Sequence, residues 1–199
     1  MGELRESKKR ETRQRISDVA TALFFERGFD AVTIDDVAAA AKVSKPTVFN
    51  YFARKEDLFL DRQDDVRVLL REALGGKAKG EAPVDALRRL VDRLHHEKHP
   101  FARIDGETVG WWRVVAASPS LQARLREIGD EAVEALAGEL AGPKVDGAAR
   151  LAAGMFVLTW RTAYGEAIRV FERTASAKKA STAFLALIDR GFAAARALD

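Results

Sequence analysis

Between Thr33 and Phe52 the chain reads TIDDVAAAAKVSKPTVFNYF: a short alanine-rich helical segment, a turn of a few residues, and a second short helical segment. Thr33 is placed to cap the first segment, with Asp36 three residues on as the partner of a capping box. Val37, Ala38 and Ala41 give that segment a narrow apolar face. Lys42-Val43 supplies the turn. Ser44 caps the second segment, and Pro46 falls in its first turn, where a missing N–H costs nothing. Val48 and Phe52, four apart, point inward together. Lys45, Pro46, Thr47, Phe49, Asn50 and Tyr51 are left on the other sides, and exposed rings on so small a helix need something to cover them.

The rest of the chain carries the same signal. Strand-like alternation is scarce, apolar residues recur at three and four, and the fold class is all-α. Ser7 is the expected cap of a helix running to Arg27, with Ile16, Val19, Ala20, Leu23 and Phe24 as its buried stripe and Gly28 as its stop. A fourth helix is expected from about Arg54 to Leu74. GGKAKGEAP, Gly75 to Pro83, is the clearest loop. Beyond it Val84, Leu87, Leu90, Val91 and Leu94 form a stripe ending at Pro100. Another helix carries Trp111 and Trp112. Ser118-Pro119 opens one lined by Leu121, Leu125, Ile128, Val133, Leu136 and Leu140, which Gly142-Pro143 ends. Asp146 caps a long helix to about Arg173, and Ser176 caps the last. Two domains are expected, residues 1–54 and 55–199.

Composition narrows the chemistry. With 47% hydrophobic and 32% charged residues in 199, the chain can bury a real core. Cysteine is absent, so neither a disulfide framework nor a cysteine-held zinc is possible, and a reducing cytoplasm is the natural compartment. No apolar run is long enough to cross a bilayer, and the first fifteen residues lack the apolar stretch of a secretory leader. The net charge of +3, with a pI near 9.3, identifies no partner by itself. No glycine-rich phosphate loop, G-x-S-x-G elbow, HExxH or cysteine nucleophile is present, so an enzyme is not expected. His95 and His99 share a helical face, but solvated histidines at a helix end account for them and no metal is expected. No cofactor is implied.

Where the charge sits is more telling. Lys42, Lys45, Arg54 and Lys55 fall in one stretch without an acid, and Lys8, Lys9, Arg10, Arg13 and Arg15 precede it in an N-terminal arm with three acids interspersed. Lys45 and Lys55 stand at helix beginnings, where a cation opposes the macrodipole by about 0.3–1 kcal/mol unless a phosphate fills the site. Two short helices and a tight turn are the helix-turn-helix pattern, whose second helix enters the major groove of DNA. Plain packing of a helical adaptor that binds only protein, without sequence-specific DNA binding, is the alternative reading of these residues.

The first 60 or so residues resemble the N-terminal domain of the TetR/AcrR family of transcriptional regulators. A basic arm is followed by ALFFERGFDAVTIDDVAAAAKVSKPTVFNYFARKEDLF, with Gly28-Phe29 ahead of the Thr33 cap, the aromatic trio Phe49, Tyr51 and Phe52, and Lys55-Glu56-Asp57-Leu58 opening the next helix. The resemblance implies that Thr33 bonds a phosphate, that Ser44, Lys45, Pro46, Thr47 and Asn50 lie over bases or their flanking phosphates, and that Phe49, Tyr51 and Lys55 fix the backbone. Asp35 and Asp36 stand where family members often carry a base-reading arginine, which leaves most discrimination to the second helix of the motif. The resemblance further implies a C-terminal helical domain for ligand binding and dimerisation: a repressor that leaves a palindromic operator when a small-molecule inducer, not identified by the sequence, binds.

Phe101, Trp111, Trp112, Phe156, Trp160 and Tyr164 hold most of that half's large aromatics and are the candidate ligand-binding residues, or ordinary core. Arg113 and Arg161 could meet an acidic ligand or lie on the surface. Gly154, Gly165 and Gly191 interrupt strong helical pattern, as a close helix neighbour would require. The faces around Phe184, Leu187, Ile188 and Phe192 suit either a homodimer interface or packing within the chain.

Overall fold

The computed structural model describes residues 2–142 and 144–196, the side chains of residues 2–4, 63 and 64 excepted. The described residues form helices and connections with no strand: α1 Gly2–Arg27, α2 Ile34–Ala40, α3 Lys45–Tyr51, α4 Glu56–Phe59, α5 Gln63–Gly75, α6 Pro83–His96, α7 Gly106–Ala117, α8 Pro119–Ala141, α9 Gly147–Thr174 and α10 Ala177–Arg196. They pack as two compact units. The first comprises the chain up to Arg62 together with Trp111–Leu125. The second comprises Gln63–Gly110 and the chain from Arg126 onward. The first unit runs past the boundary expected at residue 54 because Leu58, Phe59 and Leu60 are buried.

In the first unit α1 packs on α2 and α4, and α2 on α3. Ile16, Ala20 and Phe24 of α1 are fully buried, as are Val37, Val48 and Leu58. The rings of Phe24, Phe29 and Phe59 meet at centroid distances of 4.8–6.4 Å. Trp111 stacks flat on Phe59 at 5.3 Å, with 8° between the planes. Polar contacts fasten the same region. The Ser17 hydroxyl donates to Asp61 at 2.5 Å, the Ser118 hydroxyl to Asp30 at 2.8 Å, and Arg124 Nε to Asp57 at 2.9 Å.

In the second unit α6 packs on α5 and α10, and α10 lies along α9. The whole predicted stripe of α6 (Val84, Leu87, Leu90, Val91 and Leu94) is buried. Between α9 and α10, Phe156 stacks on Phe192 at 5.6 Å, and Phe184 presents its edge to Trp160 and Tyr164. Phe184, Ile188 and Phe192 are therefore core of their own chain. Those three cannot also supply a face for a partner. The exposed large apolar residues of this pair are Leu151 and Leu158 of α9.

Three helix ends differ from the sequence expectation. Ser7 is no cap; α1 begins at Gly2, and the Ser7 hydroxyl bonds Glu11 one turn on. The expected helix from Arg54 to Leu74 is broken between Phe59 and Gln63, where burial of Leu58, Phe59 and Leu60 in succession demands a bend that a continuous helix cannot give. α6 stops at His96 rather than Pro100, and Lys98 reverses the chain at φ 52°. The caps at Thr33, Ser44 and Asp146 form as expected, each side chain accepting a first-turn N–H. Gly28 follows the last residue of α1 at φ 83°, and Gly142 ends α8 at φ 66°. Pro143, expected to share that stop, lies outside the described residues.

Of the three interior glycines, Gly191 alone sits under a neighbour. A Cβ there would overlap the Thr159 side chain, reaching to 2.7 Å of its Cβ, whereas nothing lies within 4 Å of the Gly154 and Gly165 positions. Thr159 is β-branched and stiff, so the clash does not relax cheaply. Gly191→Ala should gain about 1 kcal/mol of helix propensity and lose about 1–3 kcal/mol to overpacking, for a net fall in thermal midpoint. Gly138→Ala, with open space around it, should raise the midpoint. Urea unfolding of the two variants checks the contrast, and equal gains in both would show that α9 and α10 are not this close.

Candidate nucleic-acid interface

The geometry of the motif starts from its caps. Thr33 Oγ1 accepts the Asp36 N–H at 3.1 Å, and Asp36 Oδ2 accepts the Thr33 N–H at 2.8 Å and the Thr33 hydroxyl at 2.5 Å. The hydroxyl bond first, then the backbone bond, hold the Asp36 carboxyl below its usual range. A depressed carboxylate favours the fold above its unfolded pKa and loses that support as pH falls through the folded one. Both groups of Thr33 are thus engaged inside the cap.

α2 closes on a left-handed Lys42, φ 54°, with Val43 N–H returning to the Ala38 carbonyl at 3.0 Å. That residue turns the chain into the Ser44 cap. Ser44 Oγ accepts the Thr47 N–H at 3.2 Å and lies 2.7 Å from the Thr47 hydroxyl. Val48 and Phe52 are buried, which fixes the rotation of α3. Lys45, Pro46, Phe49 and Asn50 then face outward, and Phe49 is 45% exposed; Thr47 and Tyr51 are half-buried on the flanks.

The two lysines part company. Lys45 is exposed and its Nζ meets Asp35 of α2 at 2.8 Å. An exposed pair of this kind contributes little to stability, about 0–1 kcal/mol, and a competing polyanion can exchange it. Lys55 turns inward. Its Nζ donates to the Phe29 carbonyl at 2.6 Å and sits 4.3 Å from the centre of the Phe29 ring. Burial pushes the Lys55 pKa down, against the opposing pull of Asp30, Glu56 and Asp36. Lys55 thus holds the turn after α1 in place. Asp35 was absent from the sequence-derived site, because a partner ten residues away in chain leaves no local spacing to find it by.

The six aromatics of the expected ligand site are divided between the two units. Trp111 and Trp112 lie in the first unit, edge to face at 5.0 Å, with Trp111 on Phe59. Phe156, Trp160 and Tyr164 lie in the second, on the α9–α10 seam. Tyr164 is buried, its hydroxyl donates to the Pro100 carbonyl at 3.1 Å, and burial raises its pKa. Phe101, the next residue after Pro100, is half-buried beside His99. His95 Nδ1 lies 3.4 Å from the Ala102 carbonyl, and His99 Nδ1 accepts the Phe101 N–H, so both rings close the turn after α6. Arg113 and Arg161 are exposed. Two cavities in the second unit, of about 90 and 210 Å³, are lined by other residues: Leu70, Ile128 and Leu136 among them in one, and Val84, Arg88 and Phe192 in the other.

A capped short helix, a left-handed turn and a second capped helix, held by α1 and showing an outward face of cation, amide and ring, define a helix-turn-helix protein. Residues 16–61 match the model of the tetR family of bacterial regulatory proteins. Over that stretch the chain is similar to members of the family.

It is 38% identical over 95 residues to the HTH-type transcriptional repressor Rv3405c of Mycobacterium tuberculosis, covering 48% of each chain. It is 29% identical over 125 residues to the HTH-type transcriptional regulator TcmR of Streptomyces glaucescens, covering 60% of this chain and 54% of that one. The chain spans about half the length of the curated relatives it matches. Among solved structures, native NalD, the secondary repressor of the MexAB-OprM multidrug efflux pump in Pseudomonas aeruginosa, gives a TM-score of 0.58 at 20% identity, covering 92% of this chain and 97% of that one. The SmeT–triclosan complex gives 0.58 at 19%, covering 92% and 91%. At such identities the likeness is one of fold.

Proposed function

We propose that this chain is a ligand-responsive, sequence-specific transcriptional regulator, a repressor released from a palindromic operator by a small molecule. The outward face of α3 carries the reading: Lys45, Pro46, Phe49 and Asn50 are presented together while Val48 and Phe52 lock the helix from behind. The ring of Phe49 and the edge of Tyr51 have the chemistry to pack on sugar and thymine methyl, and Asn50 to pair with a base edge in the major groove. Thr33, Ser44, Thr47 and Lys55 hold those groups in register from within the caps and the turn after α1.

A second copy completes the reading head. Leu151, Gly154, Leu158, Thr162 and Gly165 follow one another at three- and four-residue steps along α9, with Met155 beside Gly154, forming an apolar and small-residue face that is more than half exposed at its leucines and open at its glycines among the described residues. Paired half-sites on DNA match a two-fold dimer. For the inducer, the half-buried ring of Trp160 beside Phe156 and Tyr164 offers an aromatic wall in the second unit, with Phe101 following the Pro100 whose carbonyl Tyr164 bonds, and the fold-neighbour SmeT was solved with triclosan. Trp111 and Trp112, the other two rings of the expected ligand site, lie in the first unit. Relatives bearing regulator names, together with the absence of any helix long and apolar enough to cross a membrane among the described residues, fit a regulator working in the cytoplasm without catalysis.

Asn50→Ala tests the assignment. The side chain is exposed, so folding should be unchanged, while binding to a duplex enriched from a random pool by the parent protein should weaken by about 1–3 kcal/mol at particular base pairs. Affinity for unselected DNA should stay the same. Equal losses on selected and unselected duplexes would remove Asn50 from the base-reading set.

A further inference from the structure

α1 is longer than the unit it helps to build. Its first fully buried residue is Ile16, yet it begins at Gly2. Arg13 marks where it leaves the body of the unit: its guanidinium lies 4.5 Å from the centre of the Phe52 ring, at the C-terminal end of α3, and 3.9 Å from Asp61. The turns before Arg13 overhang that end. Arg5, Lys9 and Arg13 are spaced by four, so they share one face of the helix. It continues the face that Ile16 and Ala20 turn to the core farther along. The acids Glu11 and Asp18 are held on the opposite side by Ser7 and Gln14. Arg5 and Lys9 are exposed, and among the described residues neither enters an ion pair. Cations left unpaired on the face nearest the reading helix, outnumbering the exposed Glu6 beside them, are an arrangement for a partner rather than for helix stability.

We propose that the overhanging part of α1 is a second DNA-contact surface, in which Arg5 and Lys9 neutralise phosphates outside the stretch covered by α3. From Arg13 to Arg5 the helix rises about 12 Å, enough to pass several phosphates along one strand. The contact is sequence-independent, since point charges on flexible stems position a protein on the backbone without reading bases. The inference rests on DNA binding by α3 and adds to it a flanking clamp.

The test is the double variant R5A/K9A in the full chain, with Arg13 left in place over Phe52. Alanine keeps the helix, which circular dichroism confirms. Binding should weaken on selected and random duplexes alike. The plot of log affinity against log salt should become shallower by about 2, so that between 50 and 200 mM salt the variant loses roughly tenfold less affinity than the parent does. Base preference should be untouched. Shortening the DNA beyond the α3 footprint should weaken the parent but not the variant. A parent protein without DNA affinity would remove the regulator reading itself. A parent that binds, together with a variant of unchanged salt slope and unchanged dependence on flank length, would overturn the flanking clamp alone.

Discussion

Arg124→Ala should lower the stability of the protein by about 3 kcal/mol, which for a chain of this size is a fall of roughly 6–12 °C in thermal midpoint. The side chains of Arg124 and Asp57 are 11% and 14% exposed, and their 2.9 Å contact joins α8 to α4. Removing the guanidinium strands a carboxylate away from water, and that loss exceeds what the intact pair contributes. A double-mutant cycle separates the two effects. Arg124→Met with Asp57→Asn leaves no charge behind and should recover much of the stability. A loss below about 0.5 kcal/mol for Arg124→Ala would mean that the pair behaves as an exposed one. The same variant tests the stack of Trp111 on Phe59 and the Ser118–Asp30 bond, which fasten the same Trp111–Leu125 segment within the first unit. With the ion pair gone, these two contacts should still hold the segment, so indole fluorescence in the folded state should change little.

Leu151→Glu with Leu158→Glu should convert the proposed dimer to a monomer without unfolding it. Both leucines are more than half exposed in the single chain, at 54% and 53%, so charges there are solvated in the monomer. In a dimer four such carboxylates would crowd one apolar seam, where like charges and lost burial act together. Affinity for a duplex with two half-sites should drop by about 10²–10⁴-fold, since the second half-site would no longer be bound as an intramolecular event. Affinity for a single half-site should be unaffected. Light scattering gives the mass directly, and a dimer that survives both substitutions would place the interface elsewhere. The same substitutions at Phe184 and Ile188 should instead prevent folding, because those residues are fully buried within their own chain.

These outcomes follow the division between what was legible and what was not. The all-α class, the caps at Thr33, Ser44 and Asp146, the stop at Gly28 and the stripe of α6 were readable because each depends on residues three or four apart. The inward turn of Val48 and Phe52, and with it the outward set on α3, came from the same spacing. Ser7 misled because a capping residue type also serves inside a helix when its hydroxyl finds a neighbour such as Glu11. The fourth helix was read as continuous because its break arises from the successive burial of Leu58, Phe59 and Leu60, which no helical spacing announces.

Thus the sequence by itself determined the helices, most of their ends and the rotation of α3, since caps, turns and periodicity are settled by short-range contacts along the chain. Only the tertiary structure decided which cations turn inward and which turn out: Lys55 to the Phe29 carbonyl, Lys45 to Asp35, Arg13 onto Phe52. It also decided that Phe184, Ile188 and Phe192 are core while Leu151 and Leu158 face out. Those choices depend on which helices lie against one another, and residues ten to sixty-seven positions apart carry no spacing rule that would say so.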